Sequence, residues 1–181
     1  MLRLLLPLLA LSLPLPAEAQ EAFPFKCPAP GATMTTTANN TLTFTRQEGL
    51  TCHFKRANNT EGAWMAGVVS PTSNLGTRNK GDIEKLWPAR VGAKSEFMQI
   101  EAWGYQVIVR ERKMLTVPAG TFDVLVIDVT TEGIRQNSHR SYGRFYYALD
   151  FGYPVKYEPV LERGNWTNTP VAYEATAITK P

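Results

Sequence analysis

The stretch Tyr105-Gln106-Val107-Ile108-Val109-Arg110-Glu111-Arg112-Lys113-Met114-Leu115-Thr116-Val117-Pro118-Ala119-Gly120-Thr121-Phe122-Asp123-Val124-Leu125-Val126-Ile127-Asp128-Val129-Thr130-Thr131 decides the fold class. Its apolar residues recur at period two, the spacing of a strand. Tyr105, Val107, Val109, Leu115 and Val117 are expected on one face, interrupted by Glu111 and Lys113. Pro118 presets φ for a turn and Gly120 admits a positive φ inside it. The return strand is apolar on both faces, with Val124 and Val126 on one and Leu125, Ile127 and Val129 on the other. A strand apolar on both sides is a central one, covered from both directions.

The same alternation runs outward from this hairpin. Strands are expected over Thr33 to Thr37, Thr41 to Arg46, Leu50 to Lys55 and Ala63 to Val69. Further strands are expected over Ser141 to Leu149, Tyr153 to Leu161 and Val171 to Thr179. Asn39-Asn40 suits a tight hairpin, because Asn tolerates the left-handed backbone. Residues 70–82 are rich in Pro, Ser, Asn and Gly and read as an exposed loop. One short helical turn fits, Asp82 to Leu86, capped by Asp82 and stopped before Pro88. Trp87, held extended before that proline, reads as a large anchor. These elements predict an all-β protein. Its sheet is a single antiparallel meander, curled or barrel-like, with at most one short helix.

Composition bounds the partners and the compartment. The chain has 181 residues, 44% hydrophobic and 19% charged, with a formal charge of +3. That charge is too small to make nucleic acid a default partner. Arg3, the ten-residue apolar run Leu4 to Leu13 and Ala17-Glu18-Ala19 read together as a signal peptide cut after Ala19. The run is too short for a membrane span, which needs about 20 apolar residues. Residues 1–19 are therefore expected to be removed, leaving 20–181 as one periplasmic or secreted β domain with no transmembrane span. In an oxidising compartment the two cysteines, Cys27 and Cys52, form an even pair. A disulfide between them would close a loop worth about 3 kcal/mol.

Catalytic motifs are not found. There is no Gly-x-Ser-x-Gly elbow, no phosphate-binding glycine loop and no His-Glu-x-x-His. His53 and His139 alone do not make a metal site, and no metal or other cofactor is expected. Asp123 and Asp128 fall on opposite strand faces and are not an acid/base pair. Asp128, on an otherwise apolar face, is either at a strand end in water or a buried functional acid. One row is chemically distinctive: Arg140, Tyr142, Arg144 and Tyr146 share a strand face. Such a cationic and aromatic row suits an anionic or ring-bearing ligand, or a solvated face whose rings cover their cross-strand neighbours. Asn39, Asn58 and Asn165 each begin an Asn-x-Ser/Thr triplet.

Three blocks carry a family resemblance over roughly residues 83–160. They are Leu86-Trp87-Pro88-Ala89-Arg90-Val91-Gly92, Leu115-Thr116-Val117-Pro118-Ala119-Gly120-Thr121-Phe122-Asp123-Val124 and Arg144-Phe145-Tyr146-Tyr147-Ala148-Leu149-Asp150-Phe151-Gly152-Tyr153-Pro154-Val155-Lys156-Tyr157-Glu158. In this order they resemble bacterial secreted proteins of unknown function, the DUF3108 and TapB-like group. That group has Leu where this chain has Ala89, and Trp-Tyr-Ala-Pro where it has Tyr146-Tyr147-Ala148-Leu149. The resemblance implies an envelope protein with an antiparallel, half-barrel sheet, and it implies no catalytic residues.

The expected function is a non-catalytic periplasmic or secreted β module. It would bind an apolar or amphiphilic small molecule, or an envelope protein, with Arg140, Tyr142, Arg144 and Tyr146 as its ligand-binding row. The alternatives are a hydrolase with a noncontiguous site, such as Asp128, His139 and Arg140, and a purely structural envelope protein.

Overall fold

The alternating sequence carries the chain into one antiparallel sheet of ten strands. The structure is a computed structural model that describes residues 21–69, 80–99, 103–133, 140–163 and 171–181. The strands are β1 (Thr33–Thr36), β2 (Thr41–Glu48), β3 (Thr51–Arg56), β4 (Glu61–Met65), β5 (Lys94–Gln99), β6 (Trp103–Val117), β7 (Gly120–Gly133), β8 (Arg140–Ala148), β9 (Tyr153–Arg163) and β10 (Tyr173–Thr179). A five-residue helix, α1 (Lys80–Glu84), precedes β5. The strand order is β4-β3-β2-β1-β10-β9-β8-β7-β6-β5. Two meanders, β1–β4 and β5–β10, are thus joined where the first strand pairs with the last. The sheet curls without closing, and β4 and β5 are its edges.

The turns follow their residues. Asn39 has φ 56° and Gly120 φ 136°, so the Asn39-Asn40 and Pro118-to-Thr121 turns use the positive φ that those residues permit. The Trp87–Pro88 peptide bond is cis.

Three local expectations need correction, and β5 is a strand that alternation does not mark. β4 ends at Met65, not Val69, because the chain turns back through Ala66 and Gly67, both at positive φ. The helix begins two residues earlier than Asp82, so Asp82 lies inside it. Single-turn bonds from Lys85, Leu86 and Trp87 to Asp82, Ile83 and Glu84 then carry the coil on to the anchor. β5 had no alternation to reveal it, since Lys94, Ser95 and Glu96 are polar in succession. Finally, β6 does not keep one apolar face. A bulge between Val109 and Glu111 inserts Arg110 and reverses the parity of everything after it.

That reversal feeds two cores on opposite faces of the sheet. On one face, Val107 and Val109 of β6 join Leu125 and Ile127 of β7 and Phe145 and Tyr147 of β8. They are covered by Ile83, Leu86, Trp87 and Ala89, and by Phe23 and Phe25 from the N-terminal segment. On the other face, Val117 pairs its burial with Phe122, Val124 and Val126. This second core is covered by the curl of β1–β3 and β10, through Met34, Leu42, Phe44, Phe54 and Ala175. β7 serves both cores, as its two-sided sequence requires. Cys27 and Cys52 meet at disulfide distance, with S–S 1.95 Å and Cα–Cα 5.5 Å, and so tie the N-terminal segment to β3.

Candidate functional site

The register places Tyr142, Arg144 and Tyr146 on one face of β8, as strand alternation implies. Tyr142 stands opposite Thr130, Arg144 opposite Asp128 and Tyr146 opposite Val126. Arg140 stands opposite Glu132 in the same register. His139 lies outside the described residues.

The polar ends of Tyr142, Arg144 and Tyr146 are occupied by carboxylates of the same sheet face. Asp128 is only 4% exposed, in mid-strand and not at a strand end in water. It accepts hydrogen bonds from Arg144 Nε at 2.8 Å, Tyr142 Oη at 2.6 Å and Arg110 Nε at 2.8 Å. Arg110 reaches it because the β6 bulge displaces that residue from the ladder. Beside this cluster, Tyr146 donates to Glu158 at 2.7 Å. Lys156 bridges Glu158 at 3.0 Å and Glu174 at 2.8 Å, linking β9 to β10. Lys113 and Lys156 both lie over the Tyr146 ring, each 5.6 Å from its centre.

Electrostatics argue against acid/base work at Asp128. Burial pushes its carboxyl up, but hydrogen bonds from Arg144, Tyr142 and Arg110 outweigh that and hold it below the ordinary carboxylate value. A general base working near neutral pH needs the opposite shift. Burial and the bond to Asp128 push the Tyr142 hydroxyl well above its usual value, so it is a fixed donor. Glu158 behaves alike: burial raises it, while Tyr146 and Lys156 bring it down further than burial lifts it. Among the described residues no group of three His, Cys, Asp or Glu side chains is placed to hold a metal ion.

A second feature was not anticipated as a site. Where β1–β4 curl over β9 and β10, a cleft of about 160 Å³ opens on the inner face. Its walls are Met34, Leu42, Phe54, Trp64, Tyr153 and Tyr173, and Thr36, Asn40 and Arg56 complete the lining. Strand alternation explains the walls, since Met34, Leu42 and Phe54 are the inward, buried positions of β1, β2 and β3. Asn40 and Arg56 lie exposed by the turn ends of the same strands, while Thr36 is buried and continues the inward row of β1. Gly62 of β4 stands opposite Phe54. A Cβ there would stand 2.4 Å from the Phe54 ring, so only glycine lets that ring lie flat on β4. The inward alternation was legible, but the pairing of β1 with β10 that brings Tyr153 and Tyr173 opposite carried no local signal.

Comparisons place few known proteins beside this one. No family model matches the chain. No curated protein matches it either. Among solved structures, a Bacteroides fragilis exported protein with a YmcC-like fold is similar at 12% identity and TM-score 0.39, over 89% of this chain and 100% of its own. A Parabacteroides distasonis lipoprotein is similar at 11% identity and TM-score 0.41, over 88% of this chain and 100% of its own.

Proposed function

We propose that this chain is an exported, non-catalytic β module that binds an apolar or amphiphilic small molecule in the cleft between β1–β4 and β9–β10. The observation that carries the reading is the cleft itself, with four aromatic rings among its nine lining residues. Apolar walls with a few polar rim groups are the common make-up of small-molecule sites. The exported part rests on the signal-like N-terminus and on the cysteine pair at bonding distance. The cleft is preferred to the Tyr142, Arg144 and Tyr146 face as the ligand's place, because those three side chains already satisfy Asp128 and Glu158.

Toluene, added to isotope-labelled protein, tests this by amide chemical shifts. The expected result is saturable shifts confined to β1–β4 and the starts of β9 and β10. Shifts that stay absent up to the solubility of toluene, or that scatter over both cores, would overturn it.

A further inference from the structure

Size and charge narrow the occupant of the cleft. At about 160 Å³ it is smaller than the roughly 300–1,000 Å³ of drug-sized sites. It matches instead the roughly 150 Å³ cavity that accepts a single benzene ring. Its apolar wall offers room for one ring or a few methylenes.

Among the described residues, Arg56 is the only charged one in the lining. Its guanidinium lies 5.4 Å from the centre of the Phe54 ring, so the charge stands directly beside the apolar wall. Only Nη1 has described acceptors, the Glu61 carbonyl at 3.2 Å and the Thr60 hydroxyl at 3.5 Å. Among the described residues no carboxylate pairs with Arg56, in contrast to Arg46, Arg110, Arg112 and Arg144. Glu61 pairs in register with Lys55, and side chains alternate along β3, so Glu61 falls on the face opposite to Arg56. Asn40 and Thr36 add neutral polar groups to the lining.

From these observations we infer that the occupant is a small carboxylate: one aromatic ring, or a short alkyl group, seated among Phe54, Trp64, Tyr153 and Tyr173 with its anionic group on Arg56. This rests on the cleft being a binding site at all, and goes further by naming the chemical class. A guanidinium and a carboxylate form a charge-assisted, bidentate pair that a neutral amide cannot reproduce.

The test compares phenylacetate with phenylacetamide, two probes of the same shape that differ in charge, by amide-shift titration of the full chain. Phenylacetate is expected to bind about tenfold more tightly, a modest ratio because Arg56 is exposed. In R56Q that ratio is expected to fall to about one, and in R56K to lie between, since a lysine keeps the charge without the fork. The amide spectrum of each variant reports whether the fold is kept. Equal affinity for the two probes in the unmodified protein would overturn the carboxylate assignment while leaving an apolar site standing. A preference that persists in R56Q would overturn the role of Arg56. Neither probe shifting the cleft would overturn both readings.

Discussion

Replacing Asp128 by Asn keeps the size and removes the charge. The side chain then accepts through one oxygen, where the carboxylate accepts from Arg110, Tyr142 and Arg144 through two. Breaking a buried ion pair from one side costs about 3–5 kcal/mol when the orphaned partner stays buried. Here the arginines do not, since Arg110 is 51% and Arg144 38% exposed at the side chain. Both can turn to water, which discounts the loss to about 2–3 kcal/mol. For a domain of this size that is a fall in Tm of roughly 5–10 °C. The pH dependence adds a second check. The folded carboxyl titrates below its unfolded value, so its stabilisation is complete above the unfolded pKa of about 4. It is lost as the pH falls through the lower, folded value. Calorimetric melting of wild type and D128N between pH 7 and pH 3 reads both effects. The gap in Tm is expected to be widest near neutrality and to shrink as the solution is acidified below about pH 4. A D128N protein that melts within a degree of wild type at pH 7 would refute the claim that this cluster clamps β6, β7 and β8.

Two other expectations test how the N-terminal segment is held. Cys27→Ser should cost about 3 kcal/mol in urea unfolding, and the unmodified protein should take up alkylating reagent only after reduction. Two alkylated thiols without reductant would show that the cysteines do not bond. Tyr147→Phe should cost about 1–2 kcal/mol, because the buried hydroxyl donates to the Lys26 carbonyl and accepts from the Lys26 amide at 3.3 Å. Hydrogen exchange at the Lys26 amide should quicken with it, and an unchanged unfolding midpoint would count against the contact.

Much of the sheet could be read from alternation alone, because strand periodicity is a local property. The central place of β7 follows directly from Val124 to Val129, where successive residues enter opposite cores. The row on β8 was equally legible, since parity within one unbroken strand cannot change. What failed to show is what depends on a second strand. The bulge at Arg110 is a register slip between β6 and β7, and nothing in Val109-Arg110-Glu111 marks it. The carboxylates that satisfy the row come from β7 and β9, so the sequence displayed its donors without the acceptors. The cleft needs β1 beside β10, a pairing across almost the whole chain, and such contacts have no local signature.

The bulge also explains why polar and apolar chemistry divide as they do. β6 and β7 are long strands, and β1–β3 with β10 cover only the end of one face, near the Val117–Gly120 turn. Two residues along β7 from buried Val126, that cover ends at Asp128. A strand leaving its cover must exchange apolar side chains for polar ones, and buried polar atoms at that border must find partners. The bulge supplies one by releasing Arg110 toward Asp128 just there. Tyr146 straddles the same line, its ring in the core and its hydroxyl on Glu158. A row rich in arginine and tyrosine is therefore what a half-covered sheet face requires at its boundary, with no ligand invoked. The cleft has no such internal account. Its charged group faces no carboxylate among the described residues, and its aromatic walls leave a space about the size of one ring. Arg56 has no carboxylate partner among the described residues whereas Arg144 is held on Asp128, and that asymmetry favours Arg56 over Arg144 as the contact for an anionic ligand.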